Sequence, residues 1–410
     1  MLEEKFVSFS DNASGGLAIH DAVIIKDKDD PIGVDIAARS LVKDLKDITG
    51  SETALVEVTT LAGTDTLLGG KSVQHAIILA TTDSGLAKLL ESTDKIDLTE
   101  IRGKWETFIT AIVQRPLPNV EAALVIIGSD KRGTIFGIHT LAEQCGQSPL
   151  WWWNDVPATQ HKELYALPKI TIHGEPSVKY RGLFINDEAP ALMTWWNKTK
   201  GTVNTPLNTE FYVHVYDLML RLKANYLWPA MWASWAPQSG RTFFLDDPQN
   251  HQLAHDYGIV IGTSHHEPMQ RLTNEWALAK AGPWDWEKNK ENITEFMDEG
   301  IKRSVGKESI YTLGIRGEYD GPMDAKDPSA ILRDVFEVQN SIIKKHVGEG
   351  EGVVKMWAAY KEVLTYYENG LVPDDDTIIM LTDDNWGNVV RLPTDEERKR
   401  KSGWGVSIGP

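Results

Sequence analysis

The chain has 410 residues, of which 41% are hydrophobic and 25% are charged, an ordinary composition for a globular protein of about two or three domains. Its formal net charge of −17 at pH 7 excludes nucleic acid and anionic membrane surfaces as expected partners, because both would be repelled. No stretch approaches the roughly 18 consecutive apolar residues of a membrane span, so we expect no membrane contact.

The N-terminus and the cysteine content carry two further expectations. The chain starts Met1, Leu2, Glu3, Glu4 without an apolar core, so we expect no signal peptide. Cys145 is the only cysteine, which excludes an internal disulfide and leaves no positive sign of an oxidising compartment.

Residues 1–165 alternate between strand and helix patterns. Apolar residues at helical spacing predict helices at 34–48 and 134–145, ended by Gly50 and Gly146. No GxGxxG or P-loop pattern is present, so we expect no nucleotide cofactor. We therefore predict a small N-terminal α/β domain over 1–165. Three apolar runs predict its strands: 22–25, 76–80 and 122–127.

From about residue 178, short apolar runs alternate with helical stretches about six times. Continuous apolar runs separated by helices are typical of parallel strands buried on both faces. The runs lie at 183–185, 226–228, 259–261, 311–315, 356–360 and 378–381.

Polar residues follow nearly every one of these runs, and in (β/α) barrels the active site lies at that end of the strands. We therefore predict an α/β fold in which a (β/α)8 TIM-type barrel over 176–410 follows the N-terminal domain. Because eight strands close such a barrel and about six precede Pro410, we expect it to be incomplete at the C-terminus.

Carboxylates that converge from several strand ends suit glycoside hydrolysis, in which one neutral acid protonates the leaving oxygen and one carboxylate activates water or attacks the sugar. Arg316 offers a planar fork for the carboxylate of a uronic acid, or pairs with Glu318 or Asp320. The residues alone do not choose two carboxylates among the eight candidates: Asp187, Glu188, Glu267, Glu318, Asp320, Glu362, Asp383 and Asp384.

The run His265-His266-Glu267 admits a metal site, but it lacks the HExxH helical pattern and no cysteine assists. We predict instead that His266 hydrogen-bonds sugar hydroxyls, and we expect no metal and no cofactor. Fifteen tryptophans stand in the chain, many beside Pro, Asn, Asp or Gly, and Trp228 precedes Pro229. Such rings build either an aromatic core or flat platforms for sugar faces, and we predict that Trp228 binds the substrate.

Eight segments carry specific strings of residues, among them Trp151-Trp152-Trp153-Asn154-Asp155 and Asp383-Asp384-Asn385-Trp386-Gly387-Asn388. At these segments, which extend over nearly the whole chain, the sequence resembles the xylan α-1,2-glucuronidases of glycoside hydrolase family 115. The eight segments are 132–137, 151–157, 180–188, 225–232, 265–269, 316–317, 360–363 and 383–388.

The resemblance implies inverting release of glucuronic acid, or its 4-O-methyl form, from xylan side chains. It implies that glucuronoxylan or aldouronic oligosaccharides are the ligands and that the protein is extracellular. It also implies that full-length relatives can form a homodimer. Carried over by position, it implies Glu362 and Asp320 as the preferred catalytic carboxylates, with Asp187 and Asp383 as further candidates. Asn186, Arg316, Lys361 and Asn385 would hold the uronate and its hydroxyls.

The sequence departs from the family pattern near its end. After Trp404-Gly405-Val406 the family continues into a tyrosine-rich strand, whereas this chain reads Ser407-Ile408-Gly409-Pro410. Arg316-Gly317 is also followed by Glu318, where an acidic-glycine pattern is more usual. These departures leave a second hypothesis open, a truncated remnant that is catalytically inactive or binds acidic sugars, and a metal-dependent hydrolase stands as a third.

Overall fold

A computed structural model of the chain describes residues 4–10, 15–59, 72–186, 188–203, 205–232 and 242–408. The chain divides into two compact units, and both contain helices and strands. Unit 1 is Met1–Arg181 with Val213–Asn225 and Asp256–Gly258, and unit 2 is Gly182–Tyr212, Tyr226–His255 and Ile259–Pro410. The predicted mixed α/β class is confirmed. Among the described helices, none combines the length and the apolarity needed to cross a bilayer.

Unit 1 contains nine strands and three complete helices within its described residues. The strands are β1 Val7–Ser8, β2 Leu17–Ala18, β3 Val23–Asp27, β4 Leu55–Val58, β5 Val73–Thr81, β6 Phe108–Gln114, β7 Val120–Gly128, β8 Tyr165–Ala166 and β9 Thr171–His173. The helices are α1 Ile32–Thr49, α2 Gly85–Ser92 and α3 Lys131–Cys145.

Six of these strands form one sheet in the order β4-β3-β5-β7-β6-β9. The first four are parallel, and β6 runs antiparallel to both β7 and β9. The three predicted strands are its centre, β3, β5 and β7, because their continuous apolar runs are buried. Gly50 ends α1 in the left-handed conformation, at φ 76°, which glycine adopts without steric cost. The predicted helices are therefore confirmed as α1 and α3.

Unit 2 contains seven further strands within its described residues. They are β10 Gly182–Phe184, β11 Tyr226–Trp228, β12 Val260–Ile261, β13 Ile310–Thr312, β14 Val354–Ala359, β15 Thr377–Thr382 and β16 Trp404–Ser407. The remaining helices are α4 Met193–Lys200, α5 Thr209–Arg221, α6 Phe243–Asp246, α7 Asn250–Tyr257, α8 Thr273–Ala279, α9 Trp286–Ser304, α10 Pro328–His346 and α11 Glu362–Glu368.

The seven strands of unit 2 run parallel in two adjoining sheets, β10-β11-β12 and β13-β14-β15-β16. A parallel bridge between Ile261 and Ser309 links β12 to the start of β13. All six predicted strands are present, and β16 is one more than predicted. It was missed because Trp404-Gly405-Val406-Ser407 is short and carries a glycine rather than a continuous apolar run. The (β/α)8 TIM-type barrel, expected to be incomplete at the C-terminus, remains a prediction.

Candidate active site

The candidate site lies at the C-terminal ends of three neighbouring strands of unit 2. His265 and His266 follow β12, Arg316 and the turn Glu318–Asp320 follow β13, and Glu362 begins the helix after β14. Because these strands are parallel neighbours, their C-terminal ends lie at one edge and bring the following residues together.

Arg316 holds two carboxylates at once. Its Nε and Nη2 atoms donate to the two oxygens of Glu362 at 2.9 and 2.8 Å, which is the bidentate fork geometry. Its Nη1 atom donates to Oδ1 of Asp320. Arg316 is only 4% exposed. Of the two predicted roles of Arg316, the pairing with Asp320 is confirmed. We call Arg316, Asp320, Glu362, His265 and Lys361 the carboxylate cluster.

Asp320 is the member of the carboxylate cluster with the most polar neighbours. Nε2 of His265 lies 2.8 Å from its Oδ1 atom. The ammonium of Lys361 lies 3.6 Å from its Oδ2 atom, and Nδ1 of His266 lies 3.8 Å from Oδ1. These three neighbours come from other strand ends than Asp320 itself, so tertiary folding assembles them.

The backbone around the carboxylate cluster is held in uncommon conformations. Asp320 and Lys361 have φ values of 64° and 51°, in the region that residues with a side chain rarely adopt. Such strain persists only where surrounding contacts over-determine it, and it is frequent at functional sites. Here the buried side chain of Gln339 hydrogen-bonds both the N–H and the C=O of Gly314, each at 2.8 Å, and thereby fixes the chain just before Arg316.

Both histidines of the site are neutral at physiological pH. Burial lowers the pKa of His265 to about 3, and the nearby charges of Arg316 and Lys361 act in the same direction. Burial, His265 and the same two cations hold the pKa of His266 well below its usual range. Neutral imidazoles present one donor and one acceptor each, which suits hydrogen bonding to hydroxyl groups.

His265, His266 and Asp320 also offer three ligand atoms within 4.8 Å of one another. Two nitrogens and one carboxylate oxygen are a donor set that Zn²⁺ accepts. However, the Arg316 guanidinium and the Lys361 ammonium contact the same carboxylate, and their charges oppose a divalent cation there. The donor set therefore fits a metal, whereas the surrounding charge does not.

Two asparagines predicted to hold the sugar follow other strands of unit 2, Asn186 after β10 and Asn385 after β15. Oδ1 of Asn186 accepts the indole N–H of Trp232 at 2.8 Å, and the Trp232 ring lies 4.7 Å from that of His266. Asn385, with φ 66°, donates from Nδ2 to the hydroxyl of Tyr360 at 3.1 Å. Aromatic rings therefore hold both amides near the carboxylate cluster.

Three predicted residues lie elsewhere or outside the described residues. Asp383 is 5% exposed and accepts the N–H of Gly387 at 2.9 Å within its own loop; among the described residues no hydrogen bond or ion pair joins it to the carboxylate cluster. Trp228 is 5% exposed within β11 and packs edge-on against Phe184. Asp187 falls outside the described residues.

A family model and a solved structure both match the chain. The model of glycosyl hydrolase family 115 matches residues 173–407. A solved structure, described as a novel family GH115 4-O-methyl-α-glucuronidase, BtGH115A, with specificity for decorated arabinogalactans, is 31% identical, with a TM-score of 0.81. The chain belongs to glycosyl hydrolase family 115. The predicted resemblance is thus confirmed, and the match covers 98% of this chain and 49% of that structure, so the chain spans about half its length.

Two other solved structures have much lower similarity to this family 115 chain. A β-N-acetylhexosaminidase from Bacteroides fragilis is 12% identical, covering 90% of this chain and 68% of its own, with a TM-score of 0.46. A GH20 exo-β-N-acetylglucosaminidase from Vibrio harveyi, in an inactive mutant form, is also 12% identical, covering 99% and 69%, with a TM-score of 0.45. Comparison with functionally curated proteins gives no match.

Three residues of this candidate site were not among those assigned a role in it. Tyr360 contacts Asn385 and places its ring 4.5 Å from His265, while Trp232 contacts Asn186 and His266. His265 was considered within the run His265-His266-Glu267 for a metal or for sugar hydroxyls, but only His266 was assigned a role. The available signal was position, since Tyr360 ends the apolar run before Lys361 and Trp232 follows the run that ends at Trp228.

Proposed function

We propose that the chain is an exo-acting glycosidase that removes terminal glucuronic acid, or its 4-O-methyl form, from the side chains of xylan with inversion of configuration. One observation carries the proposal. Two carboxylates from neighbouring strand ends, Asp320 and Glu362, are held by a single guanidinium at the site of a family 115 chain. Glycoside hydrolysis needs two such groups, one acid and one base.

The surrounding groups support recognition of a uronic acid. Both ends of the Arg316 fork are occupied by Asp320 and Glu362, so we assign this residue to positioning the two carboxylates. The Lys361 side chain is 48% exposed and lies beside Asp320, which makes it our candidate for the substrate carboxylate. Asn186, Asn385 and His266 are the candidates for the sugar hydroxyls.

The polymer is the second part of the proposal. BtGH115A is described as specific for decorated arabinogalactans, whereas the segments that carry the resemblance here point to xylan. We therefore expect release of uronic acid from aldouronic oligosaccharides and glucuronoxylan, and a slower release from arabinogalactan. Faster release from arabinogalactan would contradict the xylan assignment.

The first prediction tests Glu362 with purified chain and aldouronic oligosaccharides, by measuring released uronic acid. Glu362→Gln should lower kcat by at least about a thousandfold, because an amide neither takes up nor gives a proton. Proton NMR of the wild-type reaction should show the β-anomer as the first product, since an inverting enzyme acts on an α-linkage.

The matched control for this prediction is Glu368→Gln, the same change on the same helix, at a side chain 52% exposed. It should leave kcat unchanged. A folded Glu362→Gln protein with wild-type turnover would remove this residue from the mechanism. Wild-type chain that binds the oligosaccharides without turnover would support the acidic-sugar-binding alternative instead.

A further inference from the structure

One pocket of the described chain is built entirely from residues of unit 1. Its volume is about 210 Å³, and it opens to solvent. Residues of α1, α3 and α5 line it together with Trp151 and Tyr257, and none of them belongs to the carboxylate cluster. The volume is below the roughly 300 to 1,000 Å³ of pockets that hold drug-sized ligands, so the pocket suits a single small ring.

The lining contains a buried polar side chain without a partner. His139 of α3 is 4% exposed, and its Nδ1 atom has no hydrogen-bond partner among the described residues. Burial lowers the pKa of His139 to about 3, so the imidazole is neutral and offers one donor and one acceptor. Because buried polar groups are nearly always paired with protein, water or ligand, this unpaired nitrogen indicates a polar occupant of the pocket.

Two hydroxyl groups of the lining also keep hydrogen-bonding capacity. The Tyr257 hydroxyl makes no hydrogen bond within the described part of the chain, and burial together with Asp217 raises its pKa to about 12, so it stays protonated. The Ser40 hydroxyl accepts from Nη2 of Arg221 at 2.6 Å, while its own proton meets no acceptor among the residues described. Each group can therefore donate to a ligand oxygen.

Asp217 supplies the charge of the lining. Its two oxygens accept from Nε of Arg221 at 3.0 and 2.9 Å, and Oδ2 also accepts the indole N–H of Trp151 at 3.0 Å. Arg221 is shared with the buried carboxylate of Asp44, so the three charged groups keep one net negative charge. This charge disfavours an anionic ligand, whereas a neutral hydroxyl can donate to the remaining lone pair of Oδ1.

Two aromatic rings of the lining are held by contacts with neighbouring side chains. The ammonium of Lys43, which pairs with Asp47, lies 4.3 Å from the ring centroid of Trp151. The ring of His214 stacks on that of Trp152, with centroids 3.6 Å apart. The walls are therefore in place without a ligand. Aliphatic surface comes from Ile36, Ala37, Val213 and Leu220.

We propose that this pocket of unit 1 binds one neutral monosaccharide residue, independently of the candidate active site. A sugar ring combines apolar C–H faces with hydroxyls that both donate and accept. The lining matches it with aliphatic and aromatic walls and with three polar groups that retain hydrogen-bonding capacity. The inference goes beyond the proposed function and does not depend on it.

Saturation-transfer difference NMR with D-xylose and D-galactose, two neutral sugars, tests the inference on the whole chain. At least one of them should bind with a Kd on the order of 1 mM, as expected for so small a ligand. Excess D-glucuronic acid should not displace it, because the net charge of the pocket disfavours a carboxylate. Tyr257→Phe should weaken binding about fivefold, the effect of one lost hydrogen bond.

Tyr165→Phe is the matched control, because it makes the same change in unit 1 at a half-buried residue outside the lining. It should keep the wild-type affinity. Val213→Phe places a larger side chain at a half-buried position of the lining and should abolish binding in a chain whose circular dichroism is unchanged.

Glu362→Gln should bind the neutral sugar as tightly as the wild-type chain while its turnover falls, so the inference and the proposed function can fail separately. Three results would each overturn the inference. They are the absence of binding of both sugars, displacement by D-glucuronic acid, and an unchanged affinity of the Tyr257→Phe chain.

Discussion

At the residue scale, the central finding is that one arginine joins the two preferred carboxylates. A guanidinium with its donors in a rigid fork fixes both the distance and the orientation of the groups that it binds. Arg316 uses Nε and Nη2 on Glu362 and Nη1 on Asp320, so a single buried side chain sets their relation. Under the proposed function, its role is to position the acid and the base rather than to contact the sugar.

The second prediction separates these two roles of Arg316. Arg316→Lys keeps the positive charge but cannot contact both carboxylates in the fork geometry, so kcat should fall about a hundredfold while KM changes little. Steady-state kinetics on aldouronic oligosaccharides gives both constants. A large rise in KM with an unchanged kcat would show that Arg316 binds the substrate carboxylate instead.

The control for Arg316→Lys is the same substitution at Arg333, an exposed position of α10. Circular dichroism of both variants should match that of the wild-type chain. Since Arg316 is buried, the variant is interpreted only if it retains the wild-type spectrum.

At the element scale, the position of each site residue follows from the end of a strand. Apolar runs predicted six of the seven strands of unit 2, because a strand buried on both faces needs a continuous apolar sequence. The residues after each run were therefore predicted to share one edge, and the carboxylate cluster confirms this for His265, Arg316 and Glu362. Whether a side chain turns toward its neighbours or into its own loop was not predictable, as Asp383 illustrates.

The third prediction concerns the pairing of β10 with β11. Asn186 follows the end of β10. A Cβ atom at Gly182 would lie 2.1 Å from the carbonyl oxygen of Tyr226, so Gly182→Ala must displace one strand. We expect a loss of about 1 to 3 kcal/mol in the free energy of unfolding. Urea denaturation measures it.

Gly174→Ala is the control for the strand pairing, since a Cβ atom there meets nothing within 4 Å. It should change the free energy of unfolding by less than about 0.5 kcal/mol. Equal stabilities of the Gly182→Ala chain and the wild-type chain would show that β10 does not lie against β11 as described.

At the scale of the whole molecule, several buried groups couple stability to pH. Burial lowers the pKa of His139, His251 and His265 to about 3, below the ordinary value of 6.5. Burial also raises the pKa of Asp30 and Asp44 to about 6, which acts in the opposite direction. The unfolded chain binds protons on the histidines between pH 6.5 and 3 while the folded chain does not, so acidification favours unfolding through them.

The fourth prediction is that the urea concentration at the midpoint of denaturation is lower at about pH 4.5 than at about pH 7. The contribution of each buried histidine is complete above about pH 6.5 and is lost as the pH falls toward 3, and the two aspartates offset part of this loss. His251→Gln should reduce the difference in the free energy of unfolding between the two pH values by about 2 kcal/mol, because glutamine binds no proton. His161→Gln, at a half-buried position, is the control. A midpoint that rises on acidification would contradict the lowered pKa values of the buried histidines.

The sequence by itself determined the class of fold, the main strands and helices, and the family, because apolar periodicity and specific strings depend on local order in the chain. It also named Glu362, Asp320 and Arg316 as candidates. Only the tertiary structure decided that these three contact one another, that Trp228 is buried, and that three separate helices line one pocket in unit 1. The physical reason is that side-chain contacts between strand ends depend on register and rotamer, which residues far apart in the chain determine together.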